Sequence, residues 1–148
     1  MQNQTIIGID VSSATLDICV SGKGQKSVVI KNETTAIRKF FYAYRSECLF
    51  IGMENTGRYN WALYEVLKDL HHQVYVIPPL HLKKSMGLVR GKNDKIDAVR
   101  IAAFIKKNHT DIPQWKPSSP AIQKLKILLT ERNSRIKSRR QLLKQQYD

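Results

Sequence analysis

The chain has 148 residues, of which 25 are Lys or Arg and 12 are Asp or Glu, for a formal charge of +13. That length allows one domain with a real hydrophobic core plus an appendage and rules out two substantial domains. The surplus of cations draws polyanions through counterion release, so nucleic acid is the leading partner and an anionic membrane surface the weaker one. No apolar run approaches the roughly 18 to 20 residues of a membrane span, and residues 1–4 lack a signal-peptide pattern, so a soluble, cytoplasmic protein is expected.

Residues 5–11 are β-rich and close on Asp10, and an apolar run resumes from Leu16 to Ser21 after the polar stretch 12–15, as in two strands joined by a tight turn. Gly22-Lys23-Gly24 makes a second turn and Ser27-Val28-Val29-Ile30 a third strand, completing a meander. Over residues 34–45, Ile37, Phe40, Phe41 and Tyr44 have helical spacing behind a Thr34 cap. Residues 49–54 read as a short buried strand that again ends on an acid, Glu54, and Asn55-Thr56-Gly57 punctuates it. Trp61, Leu63, Tyr64, Val66, Leu67 and Leu70 mark an amphipathic helix, with Trp61 expected in the core. Residues 73–77 form another strand, stopped by Pro78-Pro79.

From there to Asn93 the chain is basic, holds Gly87 and Gly91, and reads as a mobile loop, poorly ordered from Leu82 to Gly91 without nucleic acid. Residues 94–107 predict a helix capped by Asn93, apolar nearly all round and hence buried. Pro113, Pro117 and Pro120 with Ser118-Ser119 mark a linker, so the expected division is a first domain over residues 1–110, a linker over 111–120 and a helix over 121–148. In that helix Ile122, Leu125, Leu129, Ile136 and Leu143 recur at threes and fours or their sum, among eight basic and two acidic residues. This is a partial heptad seam, interrupted at Arg132 and Arg139, and a helix that cannot bury its own stripe seeks a partner. Cys19 and Cys48 lie in apolar stretches without a second pair and read as buried reduced thiols.

Strands alternating with helices after a meander imply a mixed α/β sheet flanked by helices, whose ligands gather beyond the carboxyl ends of the parallel strands. Asp10 and Glu54 each close a strand at that edge. Asp94 and Asp97, the only acids between Asp69 and Asp111, are three apart on one helix face that continues inward as Ala98, Ile101, Ala102 and Ile105. Four converging carboxylates repel one another unless cations sit among them, and an all-oxygen donor set favours Mg2+, with Mn2+ as a substitute. Paired ions of that kind activate an attacking oxygen and stabilise the leaving oxygen of a phosphodiester. Lys83, Lys84, Arg90, Lys92, Lys95 and Arg100 flank the two helix acids and would hold nucleic acid against them.

Taken singly, an acid at a strand end is a turn residue, and Asp94 and Asp97 fit first-turn acids favoured by the helix dipole. A basic flank alone is a solvated face. The joint occurrence of all four acids at matched positions is what points to chemistry. Asp17, on an alternating strand, is expected to face away from Asp10 and to be auxiliary. Arg58 reads as a phosphate contact and Tyr59 as a ring on which a base can stack. His71, His72, His81 and His109 lack further ligands at metal spacing and read as surface residues or phosphate contacts.

At these residues the chain resembles the N-terminal, RuvC-like domain of the DEDD transposases, the insertion-sequence family that also contains the Piv and MooV site-specific recombinases. The matches are Ile7-Gly8-Ile9-Asp10-Val11-Ser12 with Leu16-Asp17, then Met53-Glu54-Asn55-Thr56-Gly57 with Trp61, Val76-Ile77-Pro78-Pro79, and Lys92-Asn93-Asp94-Lys95-Ile96-Asp97-Ala98. Asp10, Glu54, Asp94 and Asp97 fall on the family's four acids. The resemblance implies a ribonuclease-H-like fold, magnesium dependence and action on DNA at insertion-sequence ends. It also implies that the C-terminal helix begins a coiled coil that supports homodimerisation and contacts nucleic acid, which brings in Arg132, Arg135, Arg139 and Arg140. In some members a non-coding RNA guides target choice. Ser13 departs from the Lys that members often carry, which puts a phosphate contact near Asp10 in doubt. Members also carry a second domain with a serine nucleophile, so this chain alone is expected not to complete strand exchange.

Two other functions compete with a metal-dependent transposase domain. One is a nucleic-acid binding and dimerisation module without autonomous catalysis. The other is a sugar-kinase or actin-like ATPase fragment, disfavoured because Val11-Ser12-Ser13-Ala14 supplies no Gly-rich phosphate hairpin after Asp10.

Overall fold

A computed structural model describes residues 4–86 and 94–146, without the side chains of Met86, Asp94 and Lys95. It divides into two compact units, Met1–Lys116 and Pro117–Asp148.

In the first unit β1 (Ile6–Val11), β2 (Thr15–Ser21) and β3 (Gln25–Lys31) form the expected antiparallel meander. Next, α1 (Thr34–Tyr42) crosses to β4 (Phe50–Glu54), and a 3-10 turn (Gly57–Asn60) with α2 (Trp61–Leu67) leads on to β5 (Gln73–Ile77). Both β4 and β5 run parallel to β1, in the order β3-β2-β1-β4-β5. Then come α3 (Pro79–Met86) and α4 (Asp94–Asn108), and α5 (Pro120–Gln145) makes up the second unit.

Strand alternation sorts the side chains onto two faces. Ile7, Ile9, Leu16, Ile18, Ile51 and Met53 point to one face, where Ile37 and Phe41 of α1 and Leu63, Val66 and Leu67 of α2 close the core. Ile6, Cys19, Phe50, Tyr75 and Ile77 point to the other, under Ala98, Ile101, Ala102 and Ile105 of α4 and Leu82 of α3. Gly8 and Gly52 stand on this second face because α4 lies nearly on the strands. A Cβ at Gly8 would sit 2.2 Å from the Ala98 carbonyl oxygen and 2.4 Å from the Ala102 nitrogen, and one at Gly52 would meet Ile105 Cγ1 at 2.3 Å. Beyond the last turn of α4, His109 packs against Phe50 at the start of β4 with the rings tilted by 30° (centroids 4.8 Å apart). The helix therefore runs antiparallel to β1 and β4, with its first turn over their carboxyl ends.

Several expectations are corrected. The stretch after Pro78 is not all loop: Pro79 takes the first helical position, where a missing N–H costs nothing, and the Pro78 carbonyl accepts from the His81 and Leu82 nitrogens at 3.0 and 3.3 Å. Leu82 is buried in α3, while residues 87–93, with Gly87, Arg90, Gly91, Lys92 and the Asn93 cap, lie outside the described residues. Trp61 is 58% exposed, because it sits two residues before Leu63 and so on the side of α2 opposite the buried stripe. Helix α4 is buried on one side only, with Ala103 and Ile96 exposed. Glu33, not Thr34, holds the N-cap position of α1, and Thr34 is its first helical residue.

Cys19 is buried as expected, but Cys48 is exposed in the coil before β4; both are free thiols. His72 is a core residue rather than a surface one: its Nδ1 accepts from the Leu49 nitrogen at 3.4 Å and its ring packs on Phe41. Ile112 and Trp115 pack on the same unit, the Trp115 nitrogen donating to the Val74 carbonyl at 2.7 Å and its ring stacking on Tyr64 at 4.9 Å. In α5, Ser119 Oγ accepts from the Ile122 nitrogen as N-cap and Pro120 follows at the first position, yet no residue of the helix is buried.

Candidate active site

Asp10 is the fifth residue of β1 and Glu54 the last of β4. The parallel register pairs Gly8 with Gly52 and Ile9 with Met53, so the next step along both strands sets Asp10 and Glu54 side by side on the α4 face. Asp17 is the direct antiparallel partner of Asp10 and is only 9% exposed. It therefore shares Asp10's face, contrary to expectation: across a hairpin the face is set by register, and the turn at residues 12–14 resets a parity counted along the chain.

Asp97 precedes Ala98, whose carbonyl lies against Gly8, so it stands one step nearer the carboxyl edge. Its Oδ1 accepts from Arg100 Nη1 at 3.3 Å, and both side chains are about a quarter exposed (23 and 24%). Asp94 opens α4, and its side chain lies outside the described residues. Among the described residues no group of three or more His, Cys, Asp or Glu could hold a metal ion. Asp10, Asp17 and Glu54 do not make up such a group by themselves, but they offer carboxylate oxygens alone, the donor type that suits a hard divalent cation.

The loops behind these acids are tied together by asparagines that sequence reasoning missed. Asn32 Nδ2 donates to the Ser12 carbonyl at 2.8 Å and to the Tyr59 carbonyl at 2.9 Å, linking the turn after β1 to the 3-10 turn after β4. Asn60 is fully buried: its Nδ2 donates to the Glu54 carbonyl at 3.0 Å, and its Oδ1 accepts from the Thr56 nitrogen at 2.9 Å and from the Thr56 hydroxyl. Gly57, at φ 70°, supplies the left-handed residue that turn requires. Ser12 closes its own turn, with Oγ donating to the Thr15 carbonyl at 2.8 Å. The sequence signal for the two asparagines was only that each follows an element end, and many solvated residues share it.

The basic residues are more dispersed. Arg58 is exposed, with its guanidinium over the Tyr59 ring 5.3 Å from the centroid. Lys83 and Lys84 are exposed in the last turn of α3. Arg90 and Lys92 lie outside the described residues, as does the side chain of Lys95. Arg132, Arg135, Arg139 and Arg140 are exposed along α5, where Arg135 pairs with Glu131 at 2.5 Å.

Residues 7–147 match the family model of the DEDD transposases of IS110 type, described as a transposase. The chain is 31% identical to the pilin gene-inverting protein of Moraxella lacunata and 29% identical to that of Moraxella bovis, in each case over 97% of its own length and 45% of the relative's. It thus spans about half the length of these curated relatives. Among solved structures it resembles RuvC of T. thermophilus in complex with a Holliday junction substrate, with a TM-score of 0.52 and 16% identity over 76% of this chain and 99% of RuvC. A second Thermus thermophilus RuvC structure gives 0.51 and 17% over 76% and 100%. The fold is thereby the RuvC-like, ribonuclease-H-like one.

Proposed function

The chain belongs to the DEDD transposase family, and from that premise we propose that its first unit is the metal-dependent catalytic domain of a DNA transposase or site-specific recombinase. The observation that carries this reading is the register that sets Asp10 beside Glu54 on the face covered by α4. Asp94 and Asp97 open that helix and complete the family's acid set. The substrate is a DNA phosphodiester, in keeping with the pilin gene inversion in the names of the Moraxella relatives and with the junction substrate bound by RuvC.

In this reading Asp10, Glu54, Asp94 and Asp97 would hold magnesium, with Asp17 adding carboxylate charge behind Asp10. When bound, the ion supplies Lewis-acid polarisation of the phosphate and a lowered pKa for an attacking oxygen. The protein's own part is to fix donor positions through strand register and the asparagine ties. It also brings the DNA backbone in through Arg58, Lys83, Lys84, Arg90, Lys92 and Lys95. The exposed seam of α5 and its arginines support pairing of two copies and further backbone contacts.

Mn2+ titration calorimetry and nicking of supercoiled DNA test this. The unaltered chain should bind the ion and nick, and Asp10→Asn or Glu54→Gln should cut the rate by about a hundredfold or more, the scale of losing one charge-stabilising group. Unchanged ion binding in both variants would refute the assignment. The high net charge and the bare basic helix favour one second reading, a binding and dimerisation module. Salt-sensitive DNA binding without nicking by the unaltered chain would favour it.

A further inference from the structure

The rings that follow Glu54 face solvent rather than the core. Trp61 is 58% exposed and Tyr59 38% exposed, although α2 starts at Trp61 and buries Leu63, Val66 and Leu67. Arg58 lies over the Tyr59 ring, and Trp61, two residues on and so on another side of the turn, adds a second exposed ring. Exposed aromatics on a loose loop would signify little, but this turn is rigidly held. The Tyr59 carbonyl is bonded to Asn32, which also grips Ser12, two residues beyond Asp10. Neighbouring Asn60 is fully buried and bonded to the Glu54 backbone. The platform is therefore registered to both strand ends that carry the acids, with the backbone of its turn already ordered before a ligand binds.

We propose that this turn is a stacking platform for unpaired nucleobases beside the edge that carries Asp10 and Glu54, with Trp61 and the Arg58-flanked Tyr59 each offering a ring to a base of its own. Charge favours a nucleotide over a protein surface as the occupant: the chain carries +13 and Arg58 stands within the platform. Every base has a π-face, and stacking on an aromatic ring with a cation nearby holds it regardless of sequence. Such a site would recognise an unpaired or unstacked nucleotide and leave the middle of a paired duplex alone. The inference rests on the DNA-processing reading above and deepens it.

The test uses the full chain in EDTA, so that neither metal nor cleavage enters. Binding of a short oligothymidylate and of a blunt duplex is followed by the emission of Trp61 in a Trp115→Phe background and by anisotropy. The single strand should quench Trp61. Trp61→Ala should weaken single-strand binding about tenfold, as expected for loss of one stacked base, while Trp61→Phe keeps most of it. Duplex affinity and the salt slope should stay unchanged, because no phosphate contact is removed. No loss of affinity, an equal loss on both DNAs, or a Trp61→Ala change in sedimentation coefficient with strand binding intact would each overturn the proposal. The last would mean that a second copy covers the ring. If the Asp10 and Glu54 variants bind Mn2+ normally while Trp61→Ala still discriminates between the DNAs, the catalytic reading alone fails.

Discussion

The two faces of the sheet are closed by opposite means. Under α1 and α2 the strands present Ile7, Ile9, Ile51 and Met53, and the helices stand off at the distance bulky side chains set. Under α4 the middle strands present Gly8 and Gly52, and a helix whose inner positions include Ala98 and Ala102 comes down onto the backbone. The first face can tolerate repacking, because side chains meet side chains. At Gly8 the second is a backbone-to-backbone contact with no such slack. It is also the face that carries Asp10, Asp17 and Glu54, so the close seat of α4 fixes how far its acids stand from theirs.

This contrast can be broken most severely at Gly8. A methyl group there meets the carbonyl oxygen and nitrogen of α4, which cannot rotate away, so Gly8→Ala should cost about 3 kcal/mol or more, at or beyond the top of the overpacking range. Chemical denaturation measures it, and a loss below 1 kcal/mol would show that α4 is free to lift. Next comes Asn60→Ala, which leaves the Thr56 nitrogen and the Glu54 carbonyl without their buried partner and should cost about 2 kcal/mol. Its nicking defect should exceed that of a core variant destabilised at least as much, such as Ile37→Ala. Gly52→Ala should cost about 2 kcal/mol, less than Gly8→Ala because it meets side chains and not backbone, yet still substantial because the nearest atom is Cγ1 of the fully buried, β-branched Ile105.

The smallest expected effect lies on the α1 and α2 side. Burial, helped by neighbouring His71, holds the His72 imidazole below its ordinary value of 6.5, so the folded chain keeps it neutral. As pH falls through that value the unfolded chain gains a proton that the folded one does not, and stability drops; above it the contribution is constant. The melting temperature should therefore decline between pH 7.5 and 5.5, and His72→Gln, which keeps an acceptor for the Leu49 nitrogen, should flatten that decline. An unchanged slope in the variant would assign the effect to another group.

The strands were legible in the sequence because β-rich apolar runs bounded by turn residues are a local signal, as are the acids that close β1 and β4, and β1 through β5 appear where those runs placed them. The face of Asp17 was not legible, since it depends on the pairing across a turn rather than on counting along the chain. Helix α3 was hidden by Pro78 and Pro79, which stop a strand and start a helix with equal ease. The exposure of Trp61 was masked by residue type: a tryptophan beside leucines suggests a core, and only the helix phase shows that it points outward. The asparagine ties depend on three loops meeting at one edge of the sheet, a tertiary fact without a local mark.

The bond from the Trp115 nitrogen to Val74 has a consequence of its own. It occupies an acceptor on the free side of β5, which would otherwise invite a foreign strand, and the stacking of Trp115 on Tyr64 pins it there. The opposite rim, β3, has no such cover among the described residues but displays Lys26 and Lys31, whose charge discourages lateral growth into fibrils. The sheet thus guards one border by plugging it and the other by repulsion. Loss of the segment around Trp115 should then show itself first as aggregation.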